Sequence, residues 1–479
     1  MELDADVCYQ AVLTHDARFD GAFFVGVSST GIYCRTICPA KTPRRENCRF
    51  YPSAAAAERA GHRPCLRCRP ELAPGNARVD ATGRLAAMAL SLIEDGALTE
   101  GGVVDLAATL GVSDRHLRRV TLDEFGVTPV ELAQTQRLLL AKRLLTDTDL
   151  PITEIAFASG FASVRRFNAL FRERYRLQPT DLRKRRGAPV PAQTLLCDLA
   201  FRPPLEWETL RDYFGNRAIR GVEAVDDAGR YVRTVAAGRT RGWLAVTPVP
   251  GKNALRVEMS ASLAPAIPAV LAGIKRQFDL AAQPDRIACR LGALAENRPG
   301  LRVPGAFDGF ETAVRMVLGQ QITVRAATTL AGRLSAAFGE PIETPAPAIL
   351  THLPISAARI ARAETSELAE LGIISARARS IIELARAVEG GRLRLVPGGD
   401  IEATLEALKG LPGIGDWTAQ CIALRVLAWP DAFPHGDLGI RRALGEDDPK
   451  RLLALAESWR PWRSYAAMHL WHRASAPAA

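Results

Sequence analysis

The stretch Leu411-Pro-Gly413-Ile-Gly415-Asp416-Trp417-Thr-Ala419 joins two segments with helical patterning. We predict a helix over about Glu402–Lys409, a tight Pro-Gly-x-Gly hairpin, and a second helix that begins near Asp416. The glycines allow a close approach of the backbone to another molecule, and free amides at the start of the second helix can bind a phosphate. The pattern predicts a DNA anchor that ignores base sequence, with Gly413 and Gly415 at the contact.

An isolated carboxylate follows this hairpin in the segment Phe433-Pro-His-Gly-Asp437-Leu-Gly-Ile440. Breaking an N-glycosidic bond builds positive charge on the sugar, so a nearby carboxylate stabilises the transition state and can orient water. The plain alternative is a surface carboxylate in a loop. The hairpin alone would be a weak signal, but hairpin and aspartate together resemble the HhH-GPD superfamily of DNA glycosylases. That resemblance implies that Asp437 is the catalytic residue.

Residues from about 198 to 473 resemble the bacterial 3-methyladenine DNA glycosylase II (AlkA) family. The resemblance includes Pro299-Gly-Leu-Arg-Val-Pro304, Val317-Leu-Gly-Gln320, Arg460-Pro-Trp-Arg-Ser-Tyr-Ala466 and His469-Leu-Trp471. It implies a base pocket in a cleft between two helical parts, with Trp417, Trp471, Gln320 and Gln321 as substrate contacts. Cationic bases such as 3-methyladenine are good leaving groups that need stacking surfaces. Either tryptophan alone would be read as a core residue.

The sequence also departs from the family pattern. Trp417 stands where bifunctional relatives carry a Schiff-base lysine, so we expect an enzyme without lyase activity. No cysteine follows Cys421, which excludes the C-terminal iron–sulfur cluster of some relatives. Gln321 stands in place of a leucine wedge and Cys421 in place of a pocket aromatic. These two departures leave the substrate range open.

The N-terminal region contains two close cysteine pairs, Cys34-x3-Cys38 and Cys65-x2-Cys68. Such pairs suit a tetrahedral Zn²⁺ with four thiolates, and in a reducing cytosol they indicate metal before disulfide. From Arg35 to Arg69 there are nine Lys or Arg against two acidic residues, so a DNA phosphate could be held nearby. The alternatives are a purely structural zinc knuckle and a site in which one nucleophilic thiolate accepts a methyl group.

The motifs Thr30-Gly-Ile-Tyr-Cys34-Arg-Thr-Ile-Cys38, Arg45-Glu-Asn47 and Gly61-His-Arg-Pro-Cys65-Leu-Arg-Cys68-Arg-Pro70 resemble the N-terminal domain of the Ada family. The resemblance implies zinc on Cys34, Cys38, Cys65 and Cys68, and Cys34 as the irreversible methyl acceptor from DNA phosphotriesters, with Arg45 at the DNA. Methylation would remove one negative charge and weaken the repulsion of DNA. Ada proteins usually also carry a Pro-Cys-His-Arg motif; it is missing here, so direct reversal of O6-methylguanine is not expected.

Two helix-turn-helix patterns lie between these regions. In the first, Asp105–Ser113 leads through Gly111 and a Ser113 cap into Asp114–Phe125, with Arg115, Arg118 and Arg119 toward DNA. In the second, Ile152–Ser159 and Gly160 precede a helix from about Ala162 that carries Arg165 and Arg166. Joined by a long helix over about Pro129–Leu145, they resemble an AraC-type DNA-binding domain. A simple helical packing domain is the alternative.

The totals agree with a multidomain DNA-binding protein. A chain of 479 residues exceeds one hydrophobic core, and a net charge of +10 favours a polyanionic partner. The apolar runs are too short for a membrane span of about 20 residues, and the start MELDADVCYQ lacks signal-peptide features. We therefore expect a bacterial cytosolic, nucleoid-associated monomer whose partners are alkylated double-stranded DNA, promoter DNA and RNA polymerase, with no membrane.

The predicted fold class is multidomain α+β. We expect a four-cysteine zinc domain at 1–77, an all-α AraC-type domain at 78–187 and a linker at 188–196. A small mixed α/β domain at 197–295 and an all-α HhH-GPD domain at 296–479 follow. Two alternative functions remain: a transcription regulator whose glycosylase half is inactive, and a repair enzyme whose first two domains only tether it to DNA.

Overall fold

A computed structural model describes residues 4–74, 84–94, 96–183, 194–346, 348–398 and 400–475. These residues form two compact units. Unit 1 comprises Met1–Pro203, Pro248–Ala272 and Leu280–Ala282, and unit 2 comprises Pro204–Thr247, Gly273–Asp279 and Gln283–Ala479. The predicted boundaries at 77/78 and 187/188, and the linker residues 188–193, lie outside the described residues. In the described ranges no helix has both the length and the apolar composition needed to cross a membrane.

The cysteine-rich segment of unit 1 contains a four-stranded sheet in the order β3-β1-β2-β4. Strand β1 pairs antiparallel with β2 and β3, because its alternating side chains fill cores on both faces of the sheet. Phe23 and Val25 pack toward helix α1, whereas Phe24 packs on Tyr33 and on the later helix α7. The elements are α1 Ala5–Leu13, β1 Phe24–Val27, β2 Ile32–Cys34, β3 Cys48–Tyr51, α2 Ala54–Arg59, β4 Arg63–Pro64 and a 3-10 helix Pro70–Leu72.

The next segment of unit 1 is helical and contains both expected helix pairs. The bounds are α3 Arg84–Glu94, α4 Ala97–Glu100, α5 Val103–Thr109, α6 Asp114–Phe125, α7 Pro129–Asp147, α8 Ile152–Ala158, α9 Val164–Tyr175 and α10 Pro179–Arg183. Ser113 and Ser163 cap α6 and α9 by accepting backbone N–H groups at 3.2 and 3.3 Å. Gly111 has φ +69° and Gly160 φ +81°, as the two tight turns require. The predictions of two helix pairs and a long connecting helix are confirmed.

Unit 1 also contains the antiparallel strand pair β5 Thr194–Ala200 and β9 Ala254–Ser260. The last residues of the predicted linker, 194–196, thus belong to a strand. Leu195, Cys197 and Leu199 are buried while Leu196 is exposed, which is the alternation of a half-buried strand. A 3-10 helix Ala261–Ala266 follows β9, and helix α12 Ile267–Gln277 runs from unit 1 into unit 2.

Unit 2 begins with α11 Trp207–Gly215 and an antiparallel meander of β6 Glu223–Val225, β7 Tyr231–Ala237 and β8 Thr240–Pro248. Its remaining helices are α13 Pro284–Leu291, α14 Gly309–Leu318, α15 Val324–Phe338, α16 Ala357–Ile360, α17 Thr365–Glu370, α18 Ser375–Glu389, α19 Ile401–Lys409, α20 Asp416–Arg425, α21 Leu438–Leu444, α22 Pro449–Ala456 and α23 Arg463–Ser475. Helix α20 packs on α14 and α19, and α21 packs on α23. The predicted multidomain α+β class is confirmed.

Candidate functional site

Asp437 is the N-cap residue of α21 and lies at the centre of the candidate active site. Its Oδ1 accepts the backbone N–H groups of Gly439 and Ile440 at 2.8 and 3.2 Å. The same oxygen accepts the indole N–H of Trp471 at 2.7 Å. Oδ2 accepts the indole N–H of Trp417 at 2.9 Å. Because an ionised carboxylate only accepts hydrogen bonds, this set of four donors matches a carboxylate anion.

The two tryptophans come from opposite ends of the helical segment. Trp417 lies in the first turn of α20, directly after the hairpin, and Trp471 lies on α23. Both are half-buried. Gly439 permits the approach of Trp471, since a Cβ at this position would stand 3.1 Å from both Asp437 Oδ1 and Trp471 Cδ1. Trp417, Asp437 and Trp471, which the sequence analysis placed in one site, do meet.

The loop that precedes Asp437 is hydrogen-bonded to the start of α23. Asp431, six residues before Asp437, accepts Nε and Nη2 of Arg463 at 2.7 and 2.9 Å. The hydroxyl of Ser464 donates to the carbonyl oxygens of Trp429 and Ala432 at 2.7 and 3.0 Å. The Arg-Ser pair of the sequence motif around 460–466 therefore holds the loop that presents Asp437.

The hairpin leads into a helix whose N-terminal amides could accept an anion, as predicted. Gly413 has φ +75°, and a Cβ there would collide with Ser380 of α18. Gly415 caps α20 without a side-chain hydrogen bond, so its first-turn amides are not occupied by a capping side chain. An uncapped helix N-terminus favours negative charge. The predicted helix–hairpin–helix is confirmed as local structure.

The Gln320–Gln321 loop is attached to the hairpin. Nε2 of Gln320 donates to the carbonyl oxygen of Gly413 at 2.8 Å and to Oγ1 of Thr418 at 2.9 Å. The buried Arg377 donates to the carbonyl oxygen of Gln320 at 2.6 Å. The exposed Gln321 has φ +53°. Gln320 therefore lies at the hairpin and has no hydrogen bond with Asp437 among the described contacts.

Cys421 is buried on α20. Burial raises the pKa of its thiol, and the negative charge of Asp437 raises it further. A neutral thiol therefore lies at the position where the family pattern has an aromatic residue of the pocket.

The candidate metal centre brings together four sulfur atoms in unit 1. The Sγ atoms of Cys34, Cys38, Cys65 and Cys68 all lie within 4.8 Å of one another. Tetrahedral Zn²⁺ with Zn–S bonds of about 2.3 Å requires S···S distances of about 3.8 Å, so the four residues fit such an ion. Cys34 is half-buried, whereas the other three are buried. The predicted acceptor thus belongs to the one residue of these four that is half-buried.

Two backbone amides donate hydrogen bonds to the sulfurs of this centre. The amides of Arg35 and Arg67 donate to the sulfurs of Cys68 and Cys65, each at 3.4 Å. Arg35 itself is buried in an ion pair with Asp20, so it is not free to meet a phosphate. Hydrogen bonds among the thiols raise the pKa of Cys34 and lower that of Cys65. Such proton sharing is relieved when a cation balances all four thiolates.

The predicted DNA-contacting arginines differ in their surroundings. On the second helix of each pair, Arg115, Arg118, Arg119, Arg165 and Arg166 are all exposed. Arg45 is half-buried, and its guanidinium lies 5.5–5.8 Å from the ring centroids of Phe50 and Tyr9. It also pairs with Asp6 at 3.3 Å.

Gly439 and Arg377 were not identified from the sequence. Gly439 lies in the quoted Asp437-Leu-Gly-Ile segment, so the proximity of a glycine to the catalytic residue was the available signal. Arg377 has no such signal, because its contact with Gln320 joins residues that are 57 positions apart.

Four family models match the chain. They are "Metal binding domain of Ada" at 7–71, "Helix-turn-helix domain" at 106–185, "AlkA N-terminal domain" at 196–308 and "HhH-GPD superfamily base excision DNA repair protein" at 314–451. Their order agrees with the order of segments predicted from the sequence.

Some relatives match the chain over its whole length, and others match its second half alone. It is 39% identical to "Probable bifunctional transcriptional activator/DNA repair enzyme AlkA" of Mycobacterium tuberculosis, over 98% of this chain and 97% of that protein. It is 36% identical to "DNA-3-methyladenine glycosylase 2" of Escherichia coli, over 57% of this chain and 96% of that protein. A 3-methyladenine DNA-glycosylase structure from Archaeoglobus fulgidus shares the fold, with TM-score 0.50, 19% identity, and coverage of 58% of this chain and 98% of that one. The chain therefore belongs to the family of bifunctional AlkA proteins, in which an Ada-type metal-binding domain and a helix-turn-helix domain precede an AlkA-type HhH-GPD glycosylase half.

Proposed function

We propose that the C-terminal half is a DNA-3-methyladenine glycosylase that hydrolyses the N-glycosidic bond of alkylated bases in double-stranded DNA. The observation that carries this proposal is the carboxylate of Asp437, which accepts hydrogen bonds from two indoles, one of them in the first turn of the helix that follows the hairpin. As the base leaves with the bonding electrons, positive charge grows on the sugar and the carboxylate stabilises it. Water then adds at the anomeric carbon and loses its proton.

The surroundings of Asp437 support alkylated, cationic bases as substrates. Trp417 and Trp471 offer aromatic surfaces on which such a base can stack. Gln320 donates to the hairpin at Gly413, and the next residue, Gln321, is exposed. In this proposal Gln321 fills the gap that a flipped base leaves. Trp417 stands at the Schiff-base position and its indole cannot form an imine, which supports an enzyme without lyase activity.

The decisive experiment is base release from methylated duplex DNA by the full-length protein and by Asp437→Asn. We expect the wild type to free 3-methyladenine and Asp437→Asn to bind DNA without releasing bases. The exposed Asp447→Asn is the matched control and should retain activity. If the wild type releases no base, the chain is instead a DNA-binding regulator with an inactive glycosylase half.

We propose further that the N-terminal half is a methyl-phosphotriester acceptor with Zn²⁺ on Cys34, Cys38, Cys65 and Cys68. When bound, the ion keeps the cysteines as thiolates at neutral pH. The Cys34 thiolate attacks the methyl carbon of the phosphotriester; the S–C bond forms, the C–O bond breaks, and the phosphodiester leaves as an anion. The greater exposure of Cys34 supports its choice among the four sulfurs.

Peptide mass spectrometry after incubation with methylated DNA tests this assignment. We expect one methyl group on the peptide that contains Cys34 and none in Cys34→Ala. Cys289 is exposed but has no metal cluster around it, so it serves as an internal control for unspecific thiol methylation. A methyl group on Cys289 and not on Cys34 would overturn the proposal.

Transcriptional activation follows as the third part of the proposal. The exposed arginines of α6 and α9 support binding of promoter DNA, and a methylated Cys34 carries one negative charge less toward that DNA. We propose that the protein acts as a monomer and recruits RNA polymerase. We also propose that its domains comprise residues 1–77, 78–187, 197–295 and 296–479. Reporter transcription after methylation should rise with the wild type and not with Cys34→Ala. Equal responses would favour a repair enzyme that is only tethered to DNA by its first two domains.

A further inference from the structure

Within unit 1, the first strand of the AlkA-type segment is in contact with the N-terminal half. Helix α7, which joins the two helix-turn-helix pairs, contacts β5, and so does the 3-10 helix Pro70–Leu72 that follows the cysteine cluster. Helix α8 contacts the 3-10 helix Ala261–Ala266 beyond β9. The strand pair β5–β9 is therefore packed on the DNA-reading and metal-binding segments.

A polar network that includes the buried side chains of Lys142, Glu71 and Arg143 starts beside the cysteine cluster. Arg69 directly follows Cys68 and has φ +54°. Its Nη2 donates to Oδ2 of Asp147 at 2.7 Å and to Oγ1 of Thr146 at 3.1 Å, both at the end of α7. One turn earlier, Lys142 and Glu71 form an ion pair in which each side chain is only 1% exposed. The backbone after Cys68 is thus fastened to α7 by two adjacent ion pairs.

The network continues from α7 into the strand pair. The side chain of Arg143 is 5% exposed, and its Nε lies 3.8 Å from Oδ2 of Asp147. Its Nη2 donates to the carbonyl oxygen of Asp198 in β5. The carboxylate of Asp198 in turn accepts Nε and Nη2 of Arg256 in β9, at 2.8 and 3.1 Å. Polar contacts therefore lead without interruption from the residue after Cys68 to β9.

Loss of one partner from a buried ion pair leaves an uncompensated charge and destabilises the folded protein. These contacts therefore contribute to the folding of the strand pair. The curated E. coli glycosylase relative is matched over 96% of its length by 57% of this chain, which leaves it little room for counterparts of α7 and α8. The contact between these helices and β5–β9 is thus a feature of the fused chain. A segment that belongs by sequence to the glycosylase half is held by residues of the N-terminal half.

We propose that the β5–β9 pair is the docking surface for the N-terminal half of this same chain, with Arg143 as the residue that joins the two. The β5–β9 pair unfolds and refolds locally together with α7. The proposal concerns the folding of the two halves and does not depend on the base-release or methyl-transfer assignments. It makes the N-terminal half a structural support of the β5–β9 pair within unit 1.

Native-state hydrogen exchange of the full-length protein tests this coupling. With increasing denaturant, the amides of β5 and β9 should exchange through the same opening as those of α7. If they instead open together with β6, β7 and β8 while α7 stays protected, the proposal is overturned. This measurement uses the unaltered protein, so it stands even if a variant fails to fold.

Arg143→Met gives the complementary test. Removing the donor to Asp198 should raise the exchange rates of β5 and β9 amides by about tenfold or more. Arg172→Met, a change at an exposed arginine of α9, should leave them unchanged. Unchanged exchange in β5 and β9 of folded Arg143→Met would contradict the proposal.

Discussion

The indole nitrogen of Trp471 lies 2.7 Å from Oδ1 of Asp437, an oxygen that also accepts two backbone N–H groups. Among the residues that the structure describes, Oδ2 receives one donor, the indole N–H of Trp417. Since a carboxylate oxygen offers about two lone-pair sites, Oδ1 is saturated and Oδ2 retains acceptor capacity. We infer that Oδ1 anchors the carboxylate and that Oδ2 faces the reacting sugar or its water.

Trp417→Phe keeps an aromatic ring at the site and removes the one described donor to Oδ2. A hydrogen bond to a charged group contributes about 1.5–3 kcal/mol, and about 1.4 kcal/mol corresponds to tenfold in rate. We therefore expect kcat for 3-methyladenine release to fall by about ten- to a hundredfold, with a small change in KM. Steady-state kinetics with a defined duplex measures both. A raised KM with unchanged kcat would mean that Trp417 acts by stacking alone.

Gly439→Ala should displace the Asp437–Trp471 pair. The added Cβ would stand 3.1 Å from both Oδ1 and Trp471 Cδ1, so one of them has to shift by a few tenths of an ångström. Because small misplacements of a catalytic group are costly, we expect kcat to fall by about tenfold.

Gly436→Ala is the matched control for this change. It lies in the loop directly before Asp437, whereas Gly439 is in the first turn of α21, and a Cβ at Gly436 would meet nothing within 4 Å. Its kcat should stay close to that of the wild type. Equal losses in both variants would show that loop flexibility, and not the Asp437–Trp471 contact, limits the rate.

The sequence predicted which residues form the site but not how they contact one another. Local patterns predicted the tight turn at Gly413 and the helix start at Gly415, because turns and caps depend on neighbouring residues. The catalytic role of Asp437 stays a prediction. The indole–carboxylate hydrogen bonds depend on α20, α21 and α23 packing together, which no local pattern encodes. Strand β5 was missed at its start for the same reason: the burial of Leu195 and Cys197 becomes apparent only in the folded chain.

Arg377→Met should reduce discrimination in favour of damaged DNA. Arg377 holds the carbonyl oxygen of Gln320, and the next residue, Gln321, adopts φ +53° in the exposed loop. Without this donor the loop loses a charged hydrogen bond, so we expect the preference for an abasic-site duplex over an undamaged duplex to fall by about tenfold. Fluorescence anisotropy with both duplexes measures the ratio of the two Kd values.

Arg377→Lys retains a cationic donor and should recover part of this preference. Arg392→Met, at an exposed arginine beyond α18, should leave the ratio unchanged. If Arg377→Met weakens binding to both duplexes equally, the residue supports the fold and does not position the loop.

Glu58, in unit 1, gives the protein a predicted pH dependence of its stability. Its side chain is buried, with Oε1 accepting the hydroxyl of Tyr33 at 3.1 Å and Oε2 that of Thr135 at 2.9 Å. Burial raises the pKa of Glu58 from 4.5 to about 7, although both hydroxyl donors oppose the rise. At low pH the Glu58 side chain is a protonated acid, and its hydrogen bonds connect strand β2 to helix α7.

Between about pH 4.5 and pH 7, the folded state keeps the Glu58 proton while the unfolded state has lost it. The free energy of unfolding therefore falls as pH rises through this window. Below and above the window, Glu58 adds no pH dependence. The two pKa values correspond to a total loss of about 3 kcal/mol. Glu58→Gln cannot titrate, so the unfolding free energy of the wild type minus that of Glu58→Gln should fall by about 3 kcal/mol from pH 4.5 to pH 8. Denaturant titrations at each pH measure it, with the exposed Glu46→Gln as a control; a pH-independent difference would mean that Glu58 ionises freely in the folded protein.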